Sequence, residues 1–314
     1  MTGVPGPIPQ TATTTPIRRR RGLAVLAAIL SAACWGSATV MSKGVLDHMP
    51  PMSLLAIQLT ASITVLWLAV IVLRSGLRFD RPTRRASLSG LLEPGLAYTF
   101  GIIGLALTTA SNAALIGAAE PLLILLLAWL FLKERIGGRI LLLAAVATLG
   151  LVLVVVPDAA GLTGEASLGG DILILAGTFF AALYVIATRR LVSTMEPLPL
   201  SALQQSVGLV WTLGVLVIAL LAGLATLGLD GLPLPVLLLA AASGVIQYAL
   251  AFWLYLLALQ SLPANIAGFY LTLIPVFGIA AAFVFLGEAL SGPQWIGAAL
   301  IIVSAGAVSR LQRE

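Results

Sequence analysis

The chain has 314 residues, of which 60% are apolar and only 9% charged. Soluble domains carry about 25% charged residues, so this composition excludes an ordinary soluble domain and points to a protein built for a bilayer. The net charge of +5 does not mark a nucleic-acid binder, because the cations gather at the ends of apolar runs.

Residues 1–17 are rich in Pro, Thr and Gly and have no apolar period. Together with Arg18 to Arg21 they are expected to form a disordered cytoplasmic tail, residues 1–21. The arginines precede an apolar run that continues past Ala24 to about Val40. The apolar core of a signal peptide is only about 7–15 residues, so a retained first helix is expected. Ser31-Ala32-Ala33-Cys34 is a poor match to a lipoprotein cleavage box. Cys34 is the single cysteine, so no disulfide can form within the chain.

Apolar segments follow at roughly 23–43, 52–73, 86–108, 111–132, 138–156, 171–188, 200–222, 235–259, 263–286 and 293–309. Each approaches the ~20 residues that span a hydrocarbon core. The runs are continuous, whereas a membrane barrel alternates every second residue. The expected fold is therefore an all-α integral membrane protein with ten transmembrane helices. With the N-terminus inside, the cytoplasmic positions hold sixteen of the seventeen Lys and Arg residues, Lys43 being the exception. That asymmetry sets the orientation, with both termini cytoplasmic.

The chain also repeats itself about 154 residues apart. Ser89-Gly90-Leu91-Leu92-Glu93 reads against Ser243-Gly244-Val245-Ile246-Gln247. Ala110 matches Ala264, Pro121 matches Pro275 and Glu134 matches Glu288. Each copy holds five segments, an odd number, so the second copy must enter the membrane from the opposite face. Two inverted five-helix repeats are expected, at 22–157 and 171–310. They are joined by an outer linker, 158–170, with Gly161, Gly164, Gly169 and Gly170 clustered around it.

Trp35-Gly36, the run Pro121…Lys133-Glu134-Arg135, its counterpart Pro275…Gly287-Glu288, and Gly150, Gly297 and Gly306 occur in an order that resembles the drug/metabolite transporter superfamily, EamA type. The resemblance covers about residues 22–310. It implies export of small metabolites across the bacterial inner membrane, and the layout is similar to that of amino-acid exporters, aromatic amino-acid exporters among them. Two departures stand out. Many members carry an arginine partway into helix 2, where this chain has Gln58. The four-helix multidrug members use a glutamate in helix 1, which has none here, so their proton-coupling scheme does not carry over.

Two local sequences share the pattern Gly-x-x-Glu-Pro: Gly90 to Pro94 and Gly117 to Pro121. Proline lacks an N–H and clashes with the carbonyl four residues back. In a dry bilayer the freed carbonyl needs another partner. Glu120 falls about ten residues into its segment, near the membrane midplane by the 1.5 Å rise of a helix. Glu93 is similarly deep. An ionisable residue at that depth is a functional-site candidate, with proton exchange against cargo one use for it. The alternative is that either carboxyl only caps a kinked helix, and Gln247 at the place matching Glu93 favours a purely polar requirement there. Pro121 and Pro275 are expected near each other as a hinge pair, or as packing kinks.

Trp35, Tyr98, Tyr184, Gln204, Gln205, Tyr248, Trp253, Asn265 and Tyr270 also lie within predicted helices. Amides and phenols can hold a carboxylate, and aromatic faces can hold an ammonium. Among these, Trp35, Tyr98, Tyr248 and Tyr270, with Gln247, join Glu93 and Glu120 as the transport-site candidates. Aromatics near helix ends also serve as interface anchors. Glu134, between Lys133 and Arg135, reads as a solvated loop charge, with gating against a neighbouring group as the alternative. His48 is the only histidine and lies in an outer loop, so no metal site or cofactor is expected. One Cys, one loop His and no aspartate inside a helix core also argue against an enzyme. A secondary transporter working by alternating access is the leading expectation. Its partners are a small-molecule cargo and membrane lipid, with proton coupling open and no nucleic acid. A multidrug exporter of cationic compounds and a channel-like facilitator are the alternatives.

Overall fold

The computed structural model describes residues 15–76, 80–107, 116–117, 119–159, 167–192, 195–286 and 291–311. All regular structure among them is helical. Helix α1 is Thr15–Leu46 and α2 is Pro51–Val72. Next comes a composite stretch: α3 (Arg81–Ser87), a 3₁₀ turn (Leu88–Leu91), a π turn (Leu92–Leu96) and α4 (Ala97–Leu107). Helix α5 (Glu120–Leu127) runs into a second π turn, Ala128–Leu132. Helices α6 (Gly138–Ala159), α7 (Leu168–Leu191) and α8 (Pro197–Leu221) are unbroken. Helix α9 (Leu234–Gly244) continues through a π turn, Val245–Leu250, into α10 (Ala251–Ser261). Helix α11 (Ala264–Tyr270) passes through a 3₁₀ turn, Leu271–Leu273, into α12 (Ile274–Leu286), and α13 (Gly292–Leu311) closes the chain.

Eight of these helical runs are long and apolar enough to cross a membrane, and Glu120–Leu132 is a shorter apolar helix. Their outward residues are large and greasy: Val72 is 75% exposed, Leu221 84% and Phe285 77%. Soluble monomers rarely expose so much contiguous apolar surface, so this belt is the lipid face of a multi-pass membrane protein. Several helices start on a proline in the first turn (α2, α5, α8 and α9), where its missing N–H has no intrahelical partner to lose.

Three boundaries differ from the sequence reading. Helix α1 already runs at Thr15, so residues 15–21 are helical and not part of a disordered tail. Four arginines are good helix formers, and a long apolar helix propagates into them at little cost. The linker is also shorter than 158–170, because α6 extends to Ala159 and α7 starts at Leu168, where Ser167 accepts the Gly170 N–H. The fourth apolar segment is not one continuous helix, since a turn at Ala119 precedes α5. Residues 1–14, 77–79, 108–115, 118, 160–166, 193–194, 287–290 and 312–314, and with them Ala110, Gly287 and Glu288, lie outside the described residues.

The packing is reciprocal. Helix α1 lies against α10 and α12, while α7 lies against α4 and α5. Helix α2 packs on α8 and α9, and α8 in turn packs on α2 and on the turns after α3. Helices α6 and α13 pair directly. Glycines set the closest approaches, since small residues let transmembrane helices touch backbone to backbone. A Cβ on Gly150 would sit 2.7 Å from the Gly297 carbonyl oxygen, and one on Gly297 would sit 2.4 Å from that of Gly150. A Cβ on Gly90 would meet the backbone of Gln204, and one on Gly244 the backbone of Gln58.

Candidate functional site

The helix beginning at α3 breaks at Glu93. Its backbone is extended (φ −148°, ψ 127°) and the Glu93–Pro94 bond is cis. The Pro94 ring fits against Gly208 of α8, where an added Cβ would lie 2.5 Å from the proline Cγ. The corresponding stretch of the second copy, Val245–Leu250, stays helical but widens to a π turn at Gln247. Two further irregularities precede the other prolines. The turn at Ala119 leads into Glu120-Pro121, and the 3₁₀ turn Leu271–Leu273 leads into Ile274-Pro275. Irregular backbone at membrane depth is tolerated where it borders protein or a polar cavity.

These irregular stretches face one cavity of about 240 Å³. Its lining includes Trp35 and Thr39 from α1, Glu93, Tyr98, Glu120, Tyr184, Gln247, Tyr255 and Ile274. Glu93 and Gln247 hold equivalent places in the two copies, and so do Glu120 and Ile274, so each copy supplies the same two positions to one chamber. Both glutamates are half-buried. No Lys or Arg is among the described lining residues.

The aromatic wall is tightly ordered. Trp35 meets Phe252 and Tyr255 edge-on, with ring centroids 5.1 and 5.6 Å apart. Tyr98 meets Tyr248 edge-on at 5.3 Å. Such pairs contribute about 0.5–1.5 kcal/mol beyond their buried area. The Tyr255 hydroxyl is fully buried and has no hydrogen-bond partner among the described residues.

Two buried amide networks flank the cavity. Gln58 Nε2 donates to Ser42 Oγ and Ser243 Oγ, both at 2.8 Å, and Ser42 Oγ donates to Gln247 Oε1 at 3.3 Å. Gln204 Nε2 donates to Ser89 Oγ at 2.7 Å and Thr188 Oγ1 at 3.2 Å, while Tyr184 Oη donates to Gln204 Oε1 at 3.0 Å. Gln58 and Gln204 thus each reach across to the serine of the other copy's Ser-Gly pair. Gln205 accepts from Ser62 Oγ and donates to the Tyr248 carbonyl. An unpaired polar group in a membrane interior costs several kcal/mol, which explains why these amides sit in pairs.

Of the residues singled out from sequence, Glu93, Glu120, Trp35, Tyr98, Tyr184 and Gln247 line the cavity together. Tyr248 stands behind it, 1% exposed, with its ring on Tyr98 and its hydroxyl accepting from Gln247 Nε2 at 3.4 Å. Tyr270 does not reach the cavity. It is fully buried, and its hydroxyl shares a 2.6 Å hydrogen bond with Ser309 of α13. A phenol on a helix reads the same in sequence whether it turns toward a cavity or a neighbouring helix. Pro121 is buried and Pro275 half-buried. Tyr255 was missed, and its only sequence signal was a phenol in an otherwise apolar helix. Gln205 and Asn265 are packed into helix contacts away from the cavity lining.

Glu134 is not a solvated loop charge. Its Oε1 accepts from the Ala264 N–H at 2.8 Å and its Oε2 from the Asn265 N–H at 2.9 Å. The carboxylate caps the start of α11, which the helix dipole favours, and ties the end of the Ala128–Leu132 turn to the other copy. Glu134→Ala is expected to lower stability by about 0.5–2 kcal/mol, the usual cost of a lost cap, as measured by thermal unfolding in detergent. Glu134→Gln keeps one acceptor and is expected to lose less.

A bundle of apolar helices that encloses a small polar chamber with ionisable walls is an architecture suited to a membrane transporter. The chain belongs to the EamA-like transporter family, whose model matches residues 22–156 and again residues 168–310. It is 29% identical over 216 residues to an uncharacterised transporter of Methanothermobacter thermautotrophicus, covering 68% of this chain and 61% of that protein. It is 27% identical over 202 residues to the uncharacterised transporter YyaM of Bacillus subtilis, covering 64% of this chain and 65% of that one. The matches thus span less than two thirds of the length of these curated relatives. A protein of known crystal structure shares the fold, with a TM-score of 0.75 at 22% identity over 92% of this chain and 98% of that one.

Proposed function

We propose that the protein is a secondary transporter that exports small ammonium-bearing metabolites, amino acids and their relatives, across the bacterial inner membrane. In this reading ten spans form two oppositely inserted halves, both termini are cytoplasmic, and the halves rock around the cavity in alternating access. The observation that carries it is the paired supply of the lining: Glu93 with Gln247, and Glu120 with Ile274, equivalent positions of two copies facing one chamber. The crossed Gln58–Ser243 and Gln204–Ser89 hydrogen bonds are what a twofold relation between the halves would produce. Breaks before Pro121 and Pro275 sit where such rocking needs a hinge. The two glutamates would bind the ammonium when ionised and take up a proton when it leaves.

The test uses the purified full chain in liposomes, with a panel of labelled amino acids and their decarboxylated amines and a pH gradient of either sign. Saturable uptake and counterflow of labelled against unlabelled cargo are expected. Flux that neither saturates nor shows counterflow would mean a channel and would overturn the carrier reading.

A further inference from the structure

Resting on that reading of the cavity, we propose that it selects small amines without a carboxylate over their parent zwitterionic amino acids. The chamber presents two carboxyl groups, Glu93 and Glu120, and no cation among its described lining residues. An ammonium can pair there with an ionised carboxylate, while a cargo carboxylate finds no positive partner.

Several of the neutral donors around the chamber are already engaged. Gln247 Nε2 donates to the Tyr248 hydroxyl. Gln58 Nε2 serves Ser42 and Ser243, Gln204 Nε2 serves Ser89 and Thr188, and the Tyr184 hydroxyl donates to Gln204. Freeing one of them for a cargo would strand its present acceptor in the membrane interior. Among the described residues the Tyr255 hydroxyl is unpartnered, on a side chain 1% exposed in the cavity wall. Its oxygen can accept from an ammonium N–H, and the Trp35 face beside it suits a cation or an aromatic ring. Size narrows the class further. Drug-sized ligands occupy pockets of about 300–1,000 Å³, whereas this cavity holds about 240 Å³. That admits an arylalkylamine or a short alkylamine and excludes bulky polycyclic cations.

The experiment compares two probes that differ only in the carboxylate, 2-phenylethylamine and phenylalanine, by calorimetric titration into the detergent-solubilised full chain at pH 7. The amine is expected to bind at least about tenfold more tightly, one charge-assisted contact's worth of free energy. Tyr255→Phe is expected to weaken amine binding several-fold while leaving the unfolding temperature of the unliganded protein within a few degrees. Equal or tighter binding of phenylalanine overturns the proposal. So does amino-acid counterflow with no amine binding, which would leave the transporter reading standing. If no cargo shows counterflow, the transporter reading itself fails.

Discussion

Glu120→Gln is expected to reduce saturable uptake by the reconstituted protein at least about tenfold and to abolish its response to a pH gradient. Glu120 opens α5 at a turn, half-buried, with its neighbour Pro121 fixing the helix start behind it. Charge-assisted hydrogen bonds contribute about 1.5–3 kcal/mol each, and about 1.4 kcal/mol is a factor of ten in affinity. The amide keeps shape and hydrogen-bonding capacity but loses both the charge and the exchangeable proton. Fold and packing should therefore survive, and an unchanged unfolding temperature separates lost function from lost structure. Glu93→Gln is expected to be milder, because the equivalent position already holds an amide, Gln247, at the same cavity. Unaltered uptake and pH response in the Glu120 variant would remove that residue from the transport site.

The largest structural effect is expected at Gly90. A Cβ there would lie 1.8 Å from the Gln204 carbonyl oxygen and 2.5 Å from its carbon. Backbone on one side and backbone on the other leave no flexible side chain to yield, so the two helices must separate. Overpacking usually costs about 1–3 kcal/mol, and Gly90→Ala should stand at or above the top of that range. The separation would also pull Gln204 from Ser89, and with it the anchor of Tyr184 in the cavity wall. Gly214→Ala in α8 is the control, because nothing lies within 4 Å of its Cβ. Replacing a mid-helix glycine by alanine there should be neutral or stabilise by up to about 1 kcal/mol. Thermal unfolding in one detergent compares the two directly.

Much of the site could be read from residues alone, for a physical reason. A carboxyl or an indole in a long apolar run is costly unless it meets water, a partner or cargo, so Glu93, Glu120 and Trp35 stood out against their surroundings. Gln247 was found through the internal repeat. What escaped were features decided by direction and long-range contact. Tyr255 and Tyr270 share a chemistry and lie one segment apart, yet one borders the cavity and the other meets Ser309. Nothing local distinguishes them. The role of Glu134 depends on two backbone N–H groups 130 and 131 residues away. The proline rule correctly predicted a disturbed helix at Glu93, but not that Glu120 would begin a helix, since a proline is equally at home in the first turn.

The central claim is that two halves enter the membrane with opposite sense and share one chamber. It is tested most directly by single-cysteine labelling in a Cys34→Ser background. His48, after α1, and Glu196, after α7, sit in equivalent connections and are both exposed. With an impermeant maleimide applied to intact cells, His48→Cys is predicted to label from outside and Glu196→Cys only after the membrane is opened. Labelling of both from the same face would contradict the account.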